Sequence, residues 1–162
     1  GFMHDTGRNF QTIEMLKETI DLMSLYKINY FHWHLTDNPA WRIECKVYPQ
    51  LNDPQYQRPG RDCGKFYTYE EIRELIAYAK ERGITVMPEI DMPGHSAYFR
   101  NAFGFSMDSE EGMKVLEKCI EEFCDETPVA MCPYLHIGSD EVYIAEPKGF
   151  MKFTENLCRK TL

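Results

Sequence analysis

The 162-residue sequence has no apolar run that approaches the roughly 18 residues needed to span a membrane. It has no excess of base either. Lys and Arg number 18 against 26 Asp and Glu, a formal charge of −8. That balance argues against a nucleic-acid or anionic-membrane partner, which would need a basic patch. No low-complexity tract or Gly/Ser linker interrupts the chain, and 43% hydrophobic with 14% aromatic residues is too apolar for disorder. None of the six cysteines forms a C-x-x-C pair, so the zinc-finger and dithiol redox patterns are missing. Cys45 and Cys63 share one loop and are the pair open to bridging; buried, inert thiols are the general expectation. No Gly-rich phosphate loop follows the first apolar run, which weakens a nucleotide-binding reading. The chain starts at Gly1 without a signal-peptide pattern and reads as a piece of a longer polypeptide.

What is present is an alternation of short apolar runs with amphipathic stretches. Gly1–Asp5 reads as a short strand. Ile13, Leu16, Ile20, Met23 and Tyr26 recur at helical spacing up to Lys27. Ile28–Leu35 is β-branched and aromatic, hence a strand. Between Thr36 and about Tyr67 prolines and glycines break the pattern, and a loop this long is functional or a subdomain. Thr68-x-x-Glu71 reads as a capping box opening a helix with Ile72, Leu75, Ile76 and Ala79 on one face, and Gly83 closes it. Ile84–Ile90 is a third strand. A third helix follows over 108–126, with Val115, Leu116, Cys119, Ile120 and Phe123 as its stripe. Tyr134–Ser139 reads as a fourth strand and Lys148–Leu162 as a fourth helix with Phe150, Phe153 and Leu157 inward.

Four β-α units in succession imply an α/β fold with a parallel sheet and right-handed crossovers. An open doubly wound sheet and part of a (β/α)8 barrel both fit. The polar residues favour the partial barrel. Each strand run ends in an acidic or histidine-bearing cluster: His4-Asp5, His32-x-His34 with Asp37, Glu89 and Asp91 with His95, and His136 with Asp140-Glu141. Barrel enzymes gather catalytic groups from several strand ends at one face, whereas an open sheet gathers them at one switch point.

Asp140-Glu141 is the sharpest chemical signal. Neighbouring strand residues point to opposite faces, so two adjacent carboxylates serve one pocket only where the strand ends and turns. Gly138 permits such a turn or a close backbone approach. Two nearby acids whose pKa values are driven apart suit general-acid work beside a charge-stabilising partner. His32 and His34 alternate onto one strand face, and with Asp5, Asp91, His95, His136 and Asp140 they offer a metal site as a second reading. Arg8, just after the first strand, has the forked donors that clamp a substrate oxygen.

The blocks Asp5-Thr6-Gly7-Arg8, His32–Asp37 (HWHLTD), Pro88–His95 (PEIDMPGH) and His136–Glu141 (HIGSDE) resemble those of glycoside hydrolase family 20, the β-N-acetylhexosaminidases. The Tyr26-Lys27-x-Asn29 and Trp41–Glu44 segments extend the resemblance over most of the chain. Ser139 departs from it, since the family commonly has glycine there. The resemblance implies that residues 1–162 are the N-terminal half of a (β/α)8 catalytic domain, with the long loop at about 36–67. It implies removal of terminal β-linked N-acetylglucosamine or N-acetylgalactosamine by a retaining, substrate-assisted route. By position, Glu141 is implied as general acid and then base, and Asp140 as the partner of the acetamido group. His95 and Asp37 form a relay behind Glu141, supported by Asp91, and Arg8, His34 and His136 are expected on the substrate.

No metal or cofactor is implied. The family's later strands carry the aromatic residues that enclose the acetamido group; Trp33 and Trp41 do not match those positions, so the chain alone is expected to be poorly active. Its expected partners are N-acetylhexosamine-terminated glycans, with a second copy or the other half of the barrel closing the sheet. The family's compartments are periplasmic, secreted or lysosomal. A metal-dependent barrel hydrolase and a non-catalytic, carbohydrate-binding half-barrel are the alternatives.

Overall fold

The computed structural model describes residues 1–144 and 146–161. In chain order the elements are β1 (Phe2–Asp5), α1 (Ile13–Leu25), β2 (Tyr30–His34), β3 (Thr36–Asp37), β4 (Ala40–Trp41), 3-10 turns at Pro49–Asn52 and Pro54–Tyr56, α2 (Tyr69–Glu81), β5 (Thr85–Glu89), α3 (Ala97–Phe103), α4 (Glu110–Glu126) and α5 (Pro147–Thr161). No helix among the described residues is long and apolar enough to cross a membrane.

The helices form where local chemistry demands them. The Thr12 side chain accepts the Met15 N–H and starts α1, whose Ile13, Leu16, Ile20 and Met23 are buried. Thr68 and Glu71 make the reciprocal capping box of α2, and Gly83 follows the Arg82 cap at φ 70°, a backbone state glycine adopts freely. Ser109 caps α4, which buries Val115, Leu116, Cys119, Ile120 and Phe123. The expected fourth helix is α5; Leu162, its expected last residue, lies outside the described residues.

The sheet is parallel, in the order β1-β2-β5. Its register sets Asp5 opposite His34 and His34 opposite Glu89, so one row of chemistry-bearing residues crosses the strand ends. Phe31, Trp33 and Val86 are buried in the core, where the Trp33 indole N–H donates to Thr6 Oγ1 (3.0 Å).

The expected fourth strand over Tyr134–Ser139 is not formed. One parallel bridge joins Glu89 to His136. Three backbone hydrogen bonds carry it: His136 N to Pro88 O (2.8 Å), Ile90 N to His136 O (3.0 Å) and Met92 N to Ile137 O (3.1 Å). Pairing stops because Gly138 (φ 63°) and Ser139 (φ 80°), two residues in succession, leave the extended region for positive φ.

The long loop is ordered. β3 and β4 pair antiparallel, and Ile43 bridges Tyr67. Arg42 is fully buried and donates to the carbonyls of Thr6 (3.3 Å), Arg61 (2.7 Å), Asp62 (2.6 Å) and Lys65 (3.0 Å). Four of its five N–H groups thus meet backbone carbonyls, and no carboxylate pairs with it among the described residues.

All six cysteines are free. The Cys45–Cys63 bridge is therefore not formed: Cys45 is buried with its Sγ 3.9 Å from that of Cys119, while the Cys63 thiol donates to Arg58 O at 3.0 Å. Cys158 is exposed, contrary to the expectation of buried thiols throughout.

Candidate active site

Two buried carboxylates organise the strand ends. Glu89 Oε2 lies 2.6 Å from His32 Nε2 and 2.7 Å from His34 Nδ1, and its Oε1 lies 3.2 Å from His136 Nδ1. Asp37 Oδ2 lies 2.9 Å from Arg8 Nη2, 3.2 Å from His34 Nε2 and 3.4 Å from His95 Nδ1. His34 thus joins the two hubs. His95 continues the line, its Nε2 lying 3.4 Å from Glu141 Oε2. A chain of charged and polar groups runs from Glu89 through His34, Asp37 and His95 to Glu141.

The electrostatics follow from burial and pairing. Burial opposes a charge on His34, but hydrogen bonds to Asp37 and Glu89 outweigh it and push the imidazole pKa up to about 10. Burial likewise opposes a charge on Glu89, yet the hydrogen bond to His34 and the charges of the three histidines hold its carboxyl at about 2. Burial pushes the Asp91 carboxyl above its usual range, partly offset by the Ser139 N–H. That N–H reaches Asp91 Oδ1 at 3.1 Å.

The turn carrying the acidic pair is tightly specified. A Cβ at Gly138 would stand 1.9 Å from Asp91 Oδ1, so only glycine fits against that carboxylate. Ser139 Oγ donates to Met92 O at 2.7 Å. A Cβ at Gly94 would stand 3.0 Å from Asp140 O, so the loop after β5 packs directly on the turn. His95 (φ 48°), Ser139 (φ 80°) and Glu141 (φ 50°) are all left-handed without being glycine. Such strain concentrates where side chains must be aimed. The Glu141 side chain is 76% exposed, free to meet a bound molecule.

Arg8 is anchored by Asp5, with Nη1 to Oδ2 at 2.5 Å and its backbone N–H to Oδ1 at 2.9 Å. Its guanidinium, Asp91, His136 and Asp140 line one cavity of about 200 Å³ over the two hubs. A separate apolar cavity of about 230 Å³ between α4, α5 and residues 132–137 contains no charged side chain.

All eight residues singled out in the sequence thus converge at one edge of the sheet. His34, expected on the substrate, is buried and lines the cavity, with Nδ1 at 2.7 Å from Glu89 Oε2 and Nε2 at 3.2 Å from Asp37 Oδ2. Glu89, named in the sequence analysis only as part of a strand-end cluster, is one of the two hubs. Its signal was its position at the end of a strand run, two residues before Asp91. His32, Glu89 and His136 place ligand atoms within 4.8 Å of one another, as do Asp37, Asp91 and His95. The histidine nitrogens of the first set already contact Glu89, so an ion would have to displace the protons between them.

The family profile described as "Glycosyl hydrolase family 20, catalytic domain" matches residues 1–104. The chain belongs to this family. The family-20 chain is 41% identical to a beta-hexosaminidase of Vibrio furnissii, covering 88% of the chain and 28% of that relative. It is 39% identical to a beta-hexosaminidase of Porphyromonas gingivalis, covering 100% and 23%. Among solved structures, the GH20 beta-N-acetylhexosaminidase of Streptomyces coelicolor A3(2) superposes with a TM-score of 0.84 at 28% identity, over 98% of the family-20 chain and 37% of that protein. The beta-N-acetylhexosaminidase of Bacteroides fragilis gives 0.75 at 35% identity, over 96% and 35%. The family-20 chain spans about a quarter of the length of the curated relatives it matches.

Proposed function

We propose that this chain supplies the catalytic half of a (β/α)8 barrel that removes terminal β-linked N-acetylhexosamine from glycans. The observation that carries the reading is the pairing of Glu141 with His95 beside Asp140 and Arg8 at one cavity. In the substrate-assisted route the acetamido oxygen attacks the anomeric carbon and closes an oxazolinium ring. Glu141 gives its proton to the departing glycosidic oxygen, then takes one from the water that reopens the ring. Asp140 orients the acetamido N–H and faces the ring's positive charge. Arg8, held by Asp5 and Asp37, donates to sugar hydroxyls. His95 positions Glu141, and Asp37, His34 and Glu89 fix His95 in turn. Asp91 shapes the turn through Ser139 and Gly138.

Residues 1–162 form the N-terminal part of that barrel in this reading. Among the described residues β1 pairs only with β2, and Phe2 and Met3 are exposed, which supports closure by further strands or by a second copy. The experiment is hydrolysis of an aryl N-acetylglucosaminide and of chitobiose by the longest polypeptide carrying these residues, wild type against Glu141→Gln. Loss of a positioned general acid costs roughly 10²–10⁴-fold, more on chitobiose than on the aryl substrate with its better leaving group. Equal turnover of chitobiose by both proteins refutes the assignment.

A further inference from the structure

A cavity of about 240 Å³ adjoins Arg8. Its walls include Asn9, Asp37, Asn38, Arg58 and Arg61. Three guanidinium groups around one small cavity are conspicuous on a chain of net charge −8. Among the described residues, the arginines in ion pairs are Arg8, Arg73, Arg82 and Arg159. Arg58 and Arg61 are not among them. The one carboxylate in the wall, Asp37, is spent: Oδ2 faces Arg8, His34 and His95, and Oδ1 accepts the Asn38 N–H at 2.6 Å.

The asparagines add donors. Asn9 Oδ1 accepts from Arg61 Nη1 at 2.9 Å, and Asn38 Oδ1 accepts from Ala97 N at 3.2 Å. With both oxygens committed to the protein, the amide N–H groups remain for a guest. The backbone under the arginines is pinned. Arg58 N donates to Pro39 O at 2.9 Å, and the buried Arg42 holds Arg61 O at 2.7 Å. A small cavity rich in donors on a pinned backbone, with its acceptors already used, matches a tetrahedral oxyanion, which forked guanidinium groups bind through charge-assisted hydrogen bonds.

We propose that this cavity is an anion subsite, which takes a sulfate or phosphate ester carried on the amino sugar held by Arg8. The sugar part rests on the function proposed above; the anion part rests on Arg58 and Arg61 alone. The chain then favours charged over neutral N-acetylhexosamine termini.

The test is titration of the longest polypeptide carrying these residues with N-acetylglucosamine, its 6-sulfate, its 6-phosphate and inorganic sulfate, followed by calorimetry and by NMR of the arginine side chains. The Arg58→Gln/Arg61→Gln double variant is run in parallel. Apart from the Arg61 Nη1–Asn9 Oδ1 bond, which the variant gives up, the contacts that hold the loop here use backbone atoms of both residues and are kept, and a thermal melt checks this. At low salt at least one ester is expected to bind about tenfold tighter than the neutral sugar, an advantage lost in the double variant and reduced by added salt. The ester that gains more identifies the source. Neutral sugar binding as tightly as both esters overturns the proposal, as does an advantage that survives in the double variant. Inorganic sulfate that saturates at Arg58 and Arg61 while no sugar binds supports the anion site and refutes the sugar reading alone. Failure of every ligand, sulfate included, overturns both.

Discussion

Glu89 Oε2 and His34 Nδ1 lie 2.7 Å apart, an ion pair buried beneath the cavity. Each partner moves the other's titration, so the pair ties stability to pH. The His34 pKa is raised from 6.5 to about 10, so its contribution is complete below 6.5 and is lost as pH rises through about 10. The Glu89 pKa is lowered from 4.5 to about 2, so its contribution is complete above 4.5 and is lost as pH falls through about 2.

The melting temperature is therefore expected to plateau between pH 4.5 and 6.5 and to fall on both sides. Glu89→Gln should flatten the acid limb and lower the plateau, since it leaves three histidines facing an uncharged amide. Melts at closely spaced pH values check this; an acid limb unchanged by Glu89→Gln counts against the pair.

Gly138→Ala is expected to be severe. The new Cβ meets Asp91 Oδ1 at 1.9 Å, and φ 63° is strained for any residue with a Cβ. The left-handed state alone costs about 1–2 kcal/mol. Displacing the buried carboxylate adds to that. Asp91→Ala removes the atom that is struck, so the double variant should lose less than the sum of the singles. Urea melts of the four proteins measure the coupling, and strict additivity would show that the contact is relieved elsewhere.

Ser139 separates two opposed terms. Its φ of 80° favours glycine, while its Oγ–Met92 O hydrogen bond favours serine. Ser139→Ala keeps the strain and loses the bond, at about 0.5–1.5 kcal/mol. Ser139→Gly loses the bond but relieves the strain, and is expected to melt above Ser139→Ala. The reverse order would mean that the left-handed φ of Ser139 carries no strain that glycine relieves.

Arg42→Lys should not behave as a conservative change. An ammonium has three donors and no planar fork, and Arg42 serves four carbonyls. Stranding buried carbonyls costs about 1–3 kcal/mol each. Proteolytic cutting between residues 58 and 65 is expected to accelerate in the variant, measured by timed digestion and mass spectrometry.

Legibility in the sequence follows the range of the forces involved. The α2 capping box and the α4 stripe were readable because their partners lie within four residues. The run at 134–139 misled because apolar content is local and strand pairing is not; left-handed Gly138 and Ser139 end it after one bridge. α3 was missed, having only seven residues and a cap, Gly104, that reads equally as a turn. Arg42 gave no pattern, since side-chain bonds to carbonyls 19 to 36 residues distant have no period. The acidic pair and the histidines could be named because they fall at run ends. The hub at Glu89 needed the β2–β5 register, which no single segment contains.

The segment bearing Asp140 and Glu141 hangs on β5 by three backbone hydrogen bonds and on Asp91 and Met92 through Ser139. Arg8 follows directly from β1, which is paired along all four of its residues, and Asp5 and Asp37 grip its side chain. Cooperative opening units differ in free energy according to how much buried contact each must break. The turn bearing Asp140 and Glu141 is therefore expected to open before the segment that holds Arg8 does. Under the roles proposed above, warming then takes the chain through a range in which Arg8 is still held in place and Glu141 has already left the site.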